Sequence, residues 1–307
     1  MKKIFILLAS VSLLGACREK IDLKFDDEGT TALIVEGYVT QGDPISTVKL
    51  TTTNQYNNAS ANPTAQNVEY VIIKRTDASM LETLDTLKQD NKDASVWKSA
   101  GKYTPALGDI YNLEIKYKGE IFKSESKINR PVIVDSISSF YQEEGFGTVK
   151  GYQLNYAARD LPGKGEYFFF EKWKNGVKFW ETTSDKFNIW DDQVSDGLTF
   201  PPPVLFGINP SPNTDKSNYN KDLDFPYAEN DSVVIKAFSI DKATYGFYGD
   251  ILQQASTAEG GPLGPLFAAP MDNVRTNISN TKKEGIPAQG IFSARGVNAV
   301  GIKIKKQ

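Results

Sequence analysis

Apolar and polar positions alternate over most of this chain, the two-residue period of half-buried β-strands. Asp109–Lys118 (DIYNLEIKYK) shows it most cleanly. Tyr111, Leu113, Ile115 and Tyr117 fall on one face, and Asn112, Glu114, Lys116 and Lys118 on the other. A turn at Gly119 feeds a partner strand, Glu120–Ser126. Upstream, Ala32–Thr40 (ALIVEGYVT) and Ile45–Thr52 are separated by the turn signal Gly42-Asp43-Pro44, and Val68–Arg75 (VEYVIIKR) follows a polar loop. About seven short strands in roughly 100 residues predict an immunoglobulin-like β-sandwich over residues 31–130. Leu107–Leu113 is similar to a tyrosine corner, in which the buried Tyr111 hydroxyl bonds back to the backbone. Asn129-Arg130-Pro131 marks the expected domain boundary.

Residues 131–307 predict a second antiparallel β domain with one packed helix, so the chain as a whole reads as mostly β. Thr148–Ala158 alternates Tyr152, Leu154 and Tyr156 with Gln153 and Asn155. Glu166–Lys174 (EYFFFEKWK) and Val177–Thr183 (VKFWETT) flank Asn175-Gly176. That pair predicts a type I′ hairpin turn, whose two central residues both need positive φ. Residues 184–229 have no periodicity and contain Pro201-Pro202-Pro203, a long loop of the kind that is usually functional or disordered. Asp231–Ile240 is a strand again. Asp241 then caps a helix running to about Ser256, with Tyr245, Tyr248 and Leu252 on one stripe and Phe247 and Ile251 beside it. A strand at Gln289–Ala294, a turn at Gly296 and a strand at Ala299–Ile304 close the chain.

The first seventeen residues follow a different pattern. Lys2 and Lys3 precede the uncharged apolar run Ile4–Ala16, which at thirteen residues falls short of the ~20 a membrane-spanning helix needs. A basic start and a short apolar run are the marks of a signal peptide, here residues 1–16. Its end, Leu14-Gly15-Ala16-Cys17, resembles the lipobox of bacterial lipoproteins. The resemblance implies that Cys17 receives a diacylglyceryl thioether and that cleavage frees its amino group for further acylation. Two or more acyl chains anchor stably where one anchors marginally. Residues 17–30 are charged and polar, a lipidated tether. Glu19 and Asp22 loosely resemble the acidic signals that send lipoproteins to the cell surface in Bacteroidota.

Charge and composition narrow the chemistry. Removing residues 1–16 takes two of the 35 basic residues and none of the 38 acidic ones, leaving a net charge of −5. With no basic block, no nucleic-acid partner is expected. Histidine is absent and Cys17 is the only cysteine, so Ser-His-Asp and Cys-His catalysis and the usual nitrogen–sulfur zinc sites are excluded. No metal or cofactor site is expected, because no P-loop or dinucleotide-binding glycine pattern occurs. Carboxylates remain. The adjacent pairs Asp26-Asp27, Glu143-Glu144 and Asp191-Asp192 all fall in predicted loops, where solvated charge is the plainer reading than a glycosidase-type acid pair.

The lipobox, the opening strand ALIVEGYVT, Lys242–Gln254 (KATYGFYGDILQQ), Pro265–Ser279 and Ala288–Gly296 together resemble the domain of unknown function 4249, a family of Bacteroidota outer-membrane lipoproteins. Genes of that family often lie beside TonB-dependent receptors. The resemblance therefore implies a non-catalytic accessory or ligand-binding partner of an outer-membrane transporter, lipid-anchored through Cys17 and facing the cell exterior. It supplies no catalytic residues. Trp190, Asp191, Asp192, Phe200, Phe206 and Tyr219, in or beside the long loop, are the candidate contacts with a partner or ligand. Trp173 and Trp180 read as hairpin packing or as part of that surface. A carboxylate-dependent cell-envelope enzyme and an adhesin-like structural module are the alternatives.

Overall fold

A computed structural model describes residues 31–54, 61–143, 151–179, 188–193, 196–197, 199–200, 227–259, 274–282 and 288–306. The signal segment, Cys17, the tether, Trp180, Phe206, Tyr219 and most of the 184–229 loop lie outside them.

Eight strands open the described chain: β1 (Leu33–Thr40), β2 (Thr47–Thr52), β3 (Val68–Thr76), β4 (Glu82–Thr86), β5 (Lys88–Gln89), β6 (Val96–Lys98), β7 (Ile110–Tyr117) and β8 (Glu120–Lys127). Then come β9 (Ile133–Gln142), β10 (Gly151–Arg159), β11 (Tyr167–Lys174), β12 (Val177–Phe179), β13 (Asn188–Asp191), β14 (Thr199–Phe200) and β15 (Ser232–Ile240). The helix α1 (Lys242–Glu259) leads to β16 (Ser279–Asn280), β17 (Gln289–Arg295) and β18 (Val297–Lys303). The protein is mostly β, with one helix among the described residues.

Two sandwiches result. In the first, the sheet β17-β1-β2-β6-β5 faces the sheet β16-β8-β7-β3-β4. Val35, Leu50, Ile73, Leu113, Ile115 and Phe292 fill the space between them, each buried side chain contributing about 1.5–3 kcal/mol. The inward residues of β7 are the ones its alternation marks: Tyr111, Leu113, Ile115 and Tyr117 are buried. In the second, β14-β10-β9 faces β12-β11-β15-β18, with β13 also on β11. Val134, Leu154, Phe168, Phe170, Ile235 and Ile304 form that core. The outer face of the larger sheet carries a third cluster, Phe169, Phe238, Ile240 and Tyr248, where α1 packs.

The boundary at Asn129–Pro131 needs correction. The first sandwich is completed by strands from the other end of the chain: β16 pairs with β8, and β17 pairs in parallel with β1 from Ile34↔Gln289 to Thr40↔Arg295. An unpaired β1 edge would be open to foreign strands. Turn signals are local, so nothing near β1 in sequence announces a partner some 250 residues on. At Gly296 the chain leaves the first sandwich, and β18 joins the second by pairing with β15. The crossing is tight, since a side chain at Gly296 would collide with the Asn129 carbonyl and the Ser239 hydroxyl.

Local chemistry fixes the joints. Asn175 (φ 50°) and Gly176 (φ 81°) form the two-residue turn between Lys174 and Val177, as the Asn-Gly pair predicts. Asp241 caps α1 by accepting the Thr244 amide at 2.7 Å, and its other oxygen accepts the Ser126 hydroxyl from β8 at 2.6 Å. The corner at Tyr111 differs from expectation. Its hydroxyl donates to the Asp109 carboxylate at 3.1 Å, which also accepts the Ala106 amide at 2.9 Å and Arg75 Nε at 2.7 Å. A carboxylate thus stands where a backbone carbonyl was expected, because Arg75 on β3 supplies its counter-charge.

Candidate functional site

β1 is apolar on both faces. Leu33, Val35 and Val39 enter the first core, while Ile34 and Tyr38 point the other way with Glu36 between them. That outer face looks onto β11, β12 and α1 across a cleft of about 570 Å³, within the usual size range of small-ligand sites. From β1 and β17 the cleft receives Ile34, Glu36, Tyr38, Gln289, Gly290 and Arg295. Phe169, Glu171 and Lys178 come from β11 and β12, Phe247, Tyr248 and Ile251 from α1, and Val274 from beyond the helix.

The three-phenylalanine run of β11 explains one wall. Phe168 and Phe170 face the second core, so Phe169 faces the cleft. There it stacks on Tyr248, with centroids 5.0 Å apart and planes at 18°; such pairs add about 0.5–1.5 kcal/mol beyond burial. The Tyr248 hydroxyl meets the Tyr38 hydroxyl at 3.2 Å, bridging helix and sheet. Burial pushes the Tyr248 hydroxyl well above its ordinary value and raises Tyr38 as well. Both therefore stay protonated near neutral pH and act as hydrogen-bonding groups. Gly290, at φ +94°, permits the close pairing of β17 with β1, since any side chain there would strike the Val35 carbonyl.

Charge is distributed unevenly. Glu171 is committed: Lys178 Nζ donates to one oxygen at 2.7 Å and the Trp173 indole to the other at 3.0 Å. Arg295 has its guanidinium 4.7 Å from the Tyr38 ring centre and 4.2 Å from that of Phe238, and its Nε donates to the Thr40 hydroxyl at 3.0 Å. Neither Glu36 nor the terminal nitrogens of Arg295 have an ionic or hydrogen-bonding partner among the described residues. No three acidic side chains among those residues are placed to hold a metal ion.

Of the contacts singled out in the sequence, Trp190, Asp191, Asp192 and Phe200 are among the described residues, and none of these four lines the cleft. Trp190 lies on β13 opposite Phe168 and packs against the second core. Asp191 accepts the Tyr245 hydroxyl at 3.0 Å, and Asp192 is buried and accepts the Gly165 amide at 3.0 Å. Phe200 is in β14, paired with Ala158 of β10. Trp173 belongs to the margin of the cleft through Glu171 and lies under Lys236 Nζ, 4.0 Å from its ring centre. Asp192 also adjoins a closed acidic group. Burial, then the charges of Glu166, Asp192 and Asp196, push the Asp160 carboxyl up to about 6, and Arg130 pairs with Glu166 beside it. Asp160 is 2% exposed, which closes it to any substrate.

Two joined β-sandwiches thus carry an aromatic, partly charged cleft at their junction. Residues 18–299 match the family described as Domain of unknown function (DUF4249), and the chain belongs to that family. No curated protein matches it.

Proposed function

We propose that this protein is an outer-membrane lipoprotein, anchored through Cys17 and facing the cell exterior, that holds a ligand noncovalently for a neighbouring TonB-dependent transporter. The cleft between β1 and α1 carries this reading. Its walls are set in advance by the Phe169–Tyr248 stack, the tyrosine pair and the Lys178–Glu171 ion pair, and preorganised walls lose little entropy when a ligand arrives. The lipobox and the acidic residues Glu19 and Asp22 support the location. Lipid anchoring confines the protein to the transporter's membrane and raises their effective concentration. The rival envelope-enzyme reading draws on Glu36 and Glu171 sharing the cleft, yet both Glu171 oxygens are occupied as acceptors.

The test combines two variants of the native protein with mild-detergent pull-down. Cys17→Ser is expected to leave the membrane pellet and to lose the co-purifying receptor. Ile251→Trp, which fills the cleft from the helix, is expected to keep the receptor but to slow growth under the conditions where deletion of the receptor slows it. Wild-type protein that stays in the membrane with no receptor attached would refute the partnership. Normal growth of the Ile251→Trp strain would remove the cleft from the mechanism.

A further inference from the structure

One cation of the cleft is held in place with its strongest donors unused. The Arg295 guanidinium lies 4.7 Å from the Tyr38 ring centre and 4.2 Å from that of Phe238, and its Nε donates to the Thr40 hydroxyl. Rings contact the faces of a guanidinium and Nε uses one edge, so the terminal N–H groups remain. Arg295 lines the cleft, yet those groups have no acceptor among the described residues. The other cation lining the cleft, Lys178, is paired with Glu171, and the two together add no net charge. Glu36 is exposed to water, which screens its charge.

Much of the remaining wall is apolar: Ile34 comes from β1, Phe169 from β11, Phe247 and Ile251 from α1, and Val274 from beyond the helix. The two features call for different parts of one ligand. A guanidinium fork matches the two oxygens of a carboxylate with two parallel hydrogen bonds. Apolar walls gain by removing apolar surface from water. A small inorganic anion would answer the fork and leave the walls wet. An uncharged apolar molecule would cover the walls and take water from the Arg295 N–H groups without replacing it, which costs free energy.

We propose that the cleft takes a hydrophobic carboxylic acid, its carboxylate received by the terminal N–H groups of Arg295 and its aromatic or aliphatic body lying against Ile34, Phe247 and Ile251. This rests on the capture reading above and names its ligand class. Neither half of such a molecule meets the whole cleft by itself.

The test is calorimetric titration of the full lipoprotein in mild detergent with naphthaleneacetate, naphthaleneacetamide and acetate, each corrected for its titration into detergent alone. The amide keeps the body and loses the charge, and is expected to bind about tenfold or more weakly than the acid, the usual loss for a hydrogen bond to a charged group. Acetate keeps the charge and loses the body, and is expected to give no measurable binding. Arg295→Gln is expected to bring the acid down to the affinity of the amide while leaving the amide unchanged, which also shows that the variant is folded. Equal affinity of the wild type for acid and amide, no binding of the acid, or acetate binding as tightly as naphthaleneacetate would overturn the assignment. So would a preference for the acid that survives in Arg295→Gln. The wild-type comparison alters only the ligand and stands even if that variant does not fold. The capture reading is judged separately, by growth of the Ile251→Trp strain.

Discussion

Asp160 shows how one buried residue changes the pH response of the whole protein. Its folded pKa of about 6 exceeds the ~3.9 of an unfolded aspartate. As pH rises from about 4, the unfolded chain gives up this proton first. The contribution of this group to stability therefore declines between about pH 4 and 6 and stays reduced above. Asp160→Asn removes the ionisation. The variant is expected to exceed the wild type by about 1–2 kcal/mol at pH 7.5, with the gain fading below pH 4.5. Thermal melting at the two pH values measures this, and an equal difference at both would show that ionisation is not the cause.

At the scale of elements, the β11–β12 hairpin carries a second test. Gly176 has open space around it, so a substitution there meets backbone strain alone. Gly176→Val is expected to lower stability by about 1–2 kcal/mol, because a β-branched residue is strained at φ +81°. Unchanged denaturant unfolding would contradict this. The turn was legible because Asn-Gly is a two-residue signal, and β7 and α1 because period and capping residue lie within one element. The cleft was not legible, since Glu36, Phe169, Tyr248 and Arg295 come from four elements that only tertiary pairing brings together. Its one trace was the presence of apolar residues on both faces of β1. The 188–192 segment misled in the opposite sense. Its aromatic and acidic residues suggested display, whereas Trp190 of β13 packs against the second core, and Asp191 and the following Asp192 accept hydrogen bonds from Tyr245 and Gly165.

At the scale of the whole molecule, β17 and β18 tie the two cores into one structure. Gly290→Ala places a side chain against the Val35 carbonyl and disrupts the pairing of β1 with β17. Strand β17 continues through Gly296 into β18, so the damage is expected to spread to the second sandwich. Both cores should lose stability together, by about 3 kcal/mol, in one cooperative transition. Near-ultraviolet circular dichroism and tryptophan fluorescence report on both, since Trp97 packs on the first core and Trp190 on the second. Two separate melting steps would show that the sandwiches are independent.

The placement of β1 has a mechanical consequence for a protein held at its N-terminal end. Under the proposed anchoring through Cys17, tension would enter the fold at Leu33 and draw β1 along its own axis. That strand is flanked by seven paired residues of β17 on one side and six of β2 on the other. These pairings are loaded side by side, in shear, and must fail nearly at once; an edge hairpin pulled from its end would open pair by pair. Since forced unfolding is governed by the barrier rather than by equilibrium stability, the parallel β17 partner would raise the rupture force of a protein anchored in the proposed way without changing its equilibrium stability in proportion.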